Sequence, residues 1–174
     1  MAAKGSPEPD FERLYDAHAP SMHAFVLSLT RSESDSRDLL QEVFVKIARD
    51  PSVLEGVRDE RGFLIRLAHH AAIDLFRRRA VRTAKTEAFG EERVSLFARA
   101  DDPDEQAFRD ALDVALTELP AEQREVVHLK LWEGRTFEVI ADLLGIPPNT
   151  AASRYRYGLD KLRSRLRPLY EELR

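Results

Sequence analysis

Hydrophobic residues recur along the chain in steps of three and four, beginning with Phe11, Leu14, Tyr15, His18, Met22, Phe25, Val26 and Leu29. That spacing gathers them on one stripe of an α-helix, a stripe that must be buried against a neighbour. Pro20 falls inside the pattern and marks a candidate kink. The polar run Ser32 to Ser36 supplies candidate N-caps for a second helix carrying Leu39, Leu40, Val43, Phe44 and Ile47, which Pro51 stops. After a loop containing Gly56, a third helix from about Asp59 to Arg82 has Phe63, Leu64, Leu67, Ala68, Ala71, Leu75 and Phe76 on one face. These three helices predict a first bundle spanning 11–82, preceded by a disordered stretch, 1–10.

Periodicity then weakens. Thr83 to Asp104 contains Gly90 and the run Asp101-Asp102-Pro103-Asp104, and reads as a flexible acidic linker with a helical turn around Val94 to Ala98. The pattern resumes at Glu105 with Phe108, Ala111, Leu112, Ala115, Leu116 and Leu119, closed by Pro120. A further helix runs from Ala121 to Trp132. No period-two alternation survives anywhere. The expected fold is all-α: two small helical domains, 11–82 and 105–174, joined by the linker 83–104.

The last third supplies the motif. Thr136-Phe-Glu-Val-Ile-Ala-Asp-Leu-Leu-Gly-Ile-Pro-Pro-Asn-Thr-Ala-Ala-Ser-Arg reads as a short helix, a turn glycine and a second helix, so the second domain should have four helices and end in a helix-turn-helix. Val139, Ile140, Ala141 and Leu144 offer a buried face, and Gly145 can take the left-handed conformation that ends a helix. Asn149 or Thr150 is the expected cap of the next helix. There Ala152, Tyr155, Leu159, Leu162 and Leu166 should point inward, leaving Thr150, Ala151, Ser153, Arg154, Arg156, Tyr157 and Lys161 outward. Such a helix can enter the major groove of DNA, its first turns against base edges.

Charge sharpens the picture. The net charge of −4 conceals blocks of opposite sign. Arg61 to Lys85 is net +6, Glu87 to Asp113 net −6 and Thr150 to Arg167 net +5. Two basic segments flanking an acidic middle suit phosphate binding. The chain of 174 residues is 43% hydrophobic and 33% charged, and it has no cysteine, which excludes disulfides, thiolate metal sites and a cysteine nucleophile. No apolar stretch approaches the roughly 20 residues that span a bilayer, so a cytoplasmic location without membrane insertion is expected.

Both halves resemble the extracytoplasmic-function (ECF) subfamily of bacterial RNA polymerase sigma factors, over Phe11 to Leu166. The resemblance rests on Asp38-Leu-Leu-Gln-Glu-Val-Phe44, on Ala68 to Arg79, and on Leu119-Pro-Ala-Glu-Gln-Arg-Glu-Val126 with Ser153-Arg154. It implies partners, namely core RNA polymerase through its beta-prime and beta subunits and promoter DNA, with an anti-sigma protein as a further candidate. It implies that Asp38, Leu39, Gln41, Glu42 and Phe44 bind polymerase. His69, His70, Asp74, Arg77, Arg78, Arg79 and Arg82 would bind the minus-ten element and help open the duplex around a captured base. His70 stands where the family often has asparagine. Thr150, Ser153, Arg154, Arg156, Tyr157 and Lys161 would bind the minus-thirty-five element, with Arg154 the leading candidate for reading a base edge.

The residues alone carry part of this. Asp35, Asp38, Gln41 and Glu42 form an acidic edge suited to a basic partner, whereas arginines at the end of the third helix also complement its dipole. Competing chemistry is thin. His70 and Asp74 have a metal-like spacing of four, but His18, His23 and His128 lie in other helices with no motif around them. No phosphate-binding glycine loop or nucleophile elbow occurs, so no enzyme activity, cofactor, metal or small-molecule substrate is expected. A stand-alone helix-turn-helix regulator is the alternative function, although nothing resembles a dimerisation helix. A protein-interaction adaptor would leave the segment Ser153 to Arg156 without a role.

Overall fold

The computed structural model describes residues 11–83 and 95–172, and among these all regular structure is helical. The chain divides into two units, Met1–Glu91 and Glu92–Arg174. The expected disordered stretch 1–10 lies outside the described residues, as does 84–94 of the expected linker.

The first unit contains α1 (Phe11–Thr30), α2 (Glu33–Arg49), a single 3₁₀ turn (Pro51–Leu54) and α3 (Glu60–Thr83). Helix α1 continues through Pro20. Ser32 caps α2, its hydroxyl accepting the Asp35 N–H at 3.2 Å. Asp59 does the same for α3, accepting from the Gly62 N–H at 2.9 Å. Leu14, Met22, Phe25 and Val26 of α1 meet Leu39, Val43 and Ile47 of α2 and Leu64, Ile65, Ala68 and Ala72 of α3 in the interior. Each large side chain there contributes roughly 1.5–3 kcal/mol through burial. The buried face of α3 is turned from the expected one. Ile65, His69 and Ala72 are inside, while Phe63, Leu67, Ala71, Leu75 and Phe76 are only partly covered. Because α3 packs on both α1 and α2, its covered stripe is wide, and apolar residues on several sides leave its phase ambiguous in sequence.

The second unit contains α4 (Pro103–Thr117), α5 (Ala121–Leu131), α6 (Phe137–Leu144) and α7 (Pro148–Glu172). Helix α4 begins two residues before the expected Glu105, because Asp102 caps it and Pro103 suits the first helical position. Leu96 and Phe97 form a bend rather than the helical turn expected around Val94 to Ala98, of which Val94 lies outside the described residues. Leu96 and Phe97 pack against the core of Ala115, Leu116, Leu119, Val127 and Leu162, and the Leu96 N–H donates to Asp113 at 3.2 Å. Helix α5 is covered from Arg124 to Leu129. Arg124 reaches the end of α4, where its Nη1 donates to the carbonyls of Leu116, Thr117 and Leu119 at 3.4, 3.2 and 3.2 Å.

Candidate nucleic-acid interface

The turn between α6 and α7 is built as its sequence requires. Thr136 caps α6, accepting from the Val139 N–H at 3.3 Å, and Gly145 ends it at φ 65° and ψ 37°. Ile140, Ala141 and Leu143 are its buried residues, so Leu143 joins the interior while Val139 and Leu144 are only partly covered. Helix α7 starts earlier than expected. Pro148 is its first residue, and the Pro147 carbonyl accepts the N–H groups of Thr150 and Ala151 at 2.9 and 3.1 Å. Asn149 and Thr150 therefore lie inside the first turn and do not cap it.

On α7, Ala151, Gly158 and Leu162 are buried, and Tyr155 makes an edge contact with Phe137 at 5.6 Å. Ala151 was expected outward; instead it lies against the rest of the unit with no exposed surface. Gly158 makes a close crossing possible, since a Cβ there would stand 2.8 Å from Val127 Cγ2 of α5. Arg156, Tyr157 and Lys161 are exposed, with the Arg156 guanidinium 5.2 Å from the Tyr157 ring centre. Ser153 is half-covered and its hydroxyl donates to the Thr150 carbonyl at 3.0 Å.

Arg154 does not follow the outward direction expected of it. Its Nη2 lies 2.6 Å from Glu122 Oε2 and its Nη1 3.5 Å from Glu125 Oε1, both on α5. The side chain is 25% exposed and that of Glu125 only 10%.

In the first unit, Asp38, Gln41 and Glu42 share the exposed side of α2 with Val45. Leu39 and Phe44, expected to touch a partner, are interior residues. Phe44 lies beneath Tyr15 and Phe11, with ring centres 4.8 and 6.3 Å away. They shape the edge from below. On α3, His69 is 8% exposed and 6.5 Å from the Phe25 ring, so it belongs to the packing rather than to a DNA surface. His70, Asp74, Arg77, Arg78 and Arg79 are exposed. Arg77 approaches Asp74 at 3.6 Å, and Arg79 reaches Asp35 of α2 at 2.7 Å. The Arg82 side chain lies outside the described residues. Among the described residues no group of three or more histidine or carboxylate side chains could hold a metal, and no helix is long and apolar enough to cross a membrane.

Sequence reasoning missed Arg124 and Glu125. Both stand in the motif Leu119 to Val126, but a charged residue gives no sign of being buried until its partners, here the end of α4 and Arg154, are located.

The profile of Sigma-70 region 2 matches residues 14–82, and that of Sigma-70, region 4, matches residues 109–162. The RNA polymerase sigma factor CarQ of Myxococcus xanthus is 32% identical over 94% of this chain and 92% of its own length. The ECF RNA polymerase sigma factor SigX of Bacillus subtilis is 27% identical over 95% of this chain and 88% of its own. Among solved structures, the sigma factor RpoE of Bartonella quintana, in complex with the anti-sigma factor NepR, superposes with a TM-score of 0.75. That match is 24% identical and covers 91% of this chain and 97% of the other.

Proposed function

The chain belongs to the ECF sigma factors, transcription initiation factors that act with core RNA polymerase at promoters, and from that premise we propose how its two units divide the work. The first, 11–82, docks on polymerase through Asp38, Gln41 and Glu42 and engages the minus-ten element through His70, Asp74, Arg77, Arg78, Arg79 and Arg82. The second, 105–174, binds the minus-thirty-five element through α7, where Thr150, Ser153, Arg154, Arg156, Tyr157 and Lys161 lie within the first fourteen residues. Residues 83–104 link them. The observation that carries this reading is the capped helix-turn-helix of the second unit, whose α7 shows Arg156, Tyr157 and Lys161 to solvent.

The polymerase supplies phosphodiester chemistry in this scheme and the chain contributes no catalytic group. Its place of action is the cytoplasm, and an anti-sigma protein is a further candidate partner.

Co-purification with core RNA polymerase tests the division. Wild type should form a one-to-one complex that initiates at specific sites. Glu42→Lys should weaken that complex with helix content unchanged, because reversing a charge against a basic partner costs more than losing an exposed pair worth about 0–1 kcal/mol. Binding of Glu42→Lys at wild-type strength would remove the α2 edge from the interface. Specific DNA binding without polymerase would favour the stand-alone regulator.

A further inference from the structure

On the reading that α7 faces the upstream promoter element, we infer that Arg154 is a positioning residue that clamps α7 to α5, and that base edges are read by the face carrying Asn149, Ser153 and Arg156. The first argument is direction. With 3.6 residues per turn, Arg154 lies only about 60° around α7 from buried Ala151, whereas Asn149, Ser153 and Arg156 lie roughly 140–160° from it. Arg154 is thus a flank residue on the α5 side. Ser153 and Arg156 point away from that packed side, whereas Tyr155 lies on it against Phe137.

The second argument is the clamp itself. The two terminal nitrogens of one planar guanidinium meet two different carboxylates, Glu122 at 2.6 Å and Glu125 at 3.5 Å. A fork of fixed geometry holding two groups one turn apart on α5 constrains orientation as well as distance. Glu122 stands in the first turn of α5, where a carboxylate also complements the helix dipole. Turning Arg154 toward a base would withdraw a counter-charge from Glu125, which is largely out of water.

The third argument is the second contact point. One turn beyond Arg154, Gly158 lets α7 approach so closely that an added Cβ would overlap Val127. A charged clamp and a side-chain-free crossing, four residues apart on one helix, fix the angle of α7 at two points. Changing that angle would move Asn149, Ser153 and Arg156 together relative to the groove, so the clamp governs recognition at every position they read.

The test uses holoenzyme assembled from core RNA polymerase and full-length chain, and a duplex pool randomised across the upstream element. Bound DNA is sequenced, and affinity for the winning duplex is measured at two salt concentrations. Arg154→Ala and the pair Glu122→Gln with Glu125→Gln should compress the preference at all positions alike, with the salt slope unchanged. Arg156→Ala should remove about a ten-fold preference at one base pair and leave the others. If Arg154→Ala does not fold, Glu122→Gln alone, changed at the exposed end of the clamp, should give the same uniform compression in weaker form. Loss of preference at a single position with Arg154→Ala, matched by neither carboxylate variant, would make Arg154 a base reader and overturn the inference. A fall of about one unit in the salt slope would make it a phosphate contact, with the same consequence. Wild-type holoenzyme that enriches no upstream sequence would instead overturn the underlying assignment of α7.

Discussion

Arg124→Met is expected to destabilise the second unit by about 2–3 kcal/mol, a figure that follows from what Arg124 touches. Its Nη1 carries two protons and faces three carbonyls at the end of α4. The Leu116 carbonyl also accepts the Leu119 N–H at 3.2 Å, so Thr117 and Leu119 depend most on Arg124. A hydrogen bond from a charged donor is worth roughly 1.5–3 kcal/mol, and 3.2 Å is long for an N–H to carbonyl bond, which puts each near the lower end. Two such bonds total about 3 kcal/mol, and the apolar methionine recovers a fraction of this by filling the same space. In a domain of this size the midpoint of thermal unfolding should fall by about 10–20 °C. The only tryptophan, Trp132, lies in this unit, so urea unfolding followed by its fluorescence isolates the effect. The midpoint should drop with an unchanged slope. A loss below about 1 kcal/mol would show that water satisfies these carbonyls equally well and would refute the reasoning.

Two further substitutions probe each unit separately. In the first, Glu60 is held below its ordinary value of 4.5 chiefly by the hydrogen bond from Arg13, opposed by burial and assisted by His18. A carboxyl with a depressed folded-state value stabilises the fold above the unfolded value and loses that contribution as pH falls through the folded one. Glu60→Gln should therefore lower stability near neutrality and flatten its decline below about pH 4.5, as read by circular dichroism across an acid titration. An unchanged acid profile would show that the pair contributes nothing. In the second unit, Gly158→Val should cost more than Gly158→Ala. Overpacking against Val127 costs roughly 1–3 kcal/mol, offset for alanine by about 1 kcal/mol of helix propensity. A valine variant as stable as wild type would show that α5 and α7 separate freely.

What could be read from sequence was whatever depends on local chemistry. Steps of three and four marked the helices because each buries one stripe. Ser32 and Gly145 could be placed because a cap and a left-handed turn each demand particular residues. What could not be read depends on partners distant in the chain. Leu39 and Phe44 matched a polymerase-binding motif, yet their side chains face inward, since a motif records which residues recur and not which way each points. His69 and His70 are adjacent and polar, but only the position of Phe25 shows that one is interior. Arg154 offered a helix face, and the path of its long side chain was decided by two glutamates about thirty residues earlier in the chain. The acidic pattern that identified the α2 edge could not show that Asp35 is already engaged by Arg79.

The pair Pro147 and Pro148, described above only as the place where α7 begins, has its main effect on the unfolded chain. Each ring fixes its own φ near −65° and restricts the residue before it, so Ile146 and Pro147 are biased toward extended backbone without any tertiary contact. The folded turn uses that geometry, and Pro148 lacks an N–H at a position where a helix has no internal acceptor for one. Conformations that would carry the helix past Gly145 are largely missing from the unfolded ensemble. The entropy lost in setting the turn is correspondingly smaller, by an amount of the order of 0.4–1 kcal/mol per compatible proline. A recognition helix that begins at a covalently restricted hinge keeps its starting direction even when the contacts around it loosen.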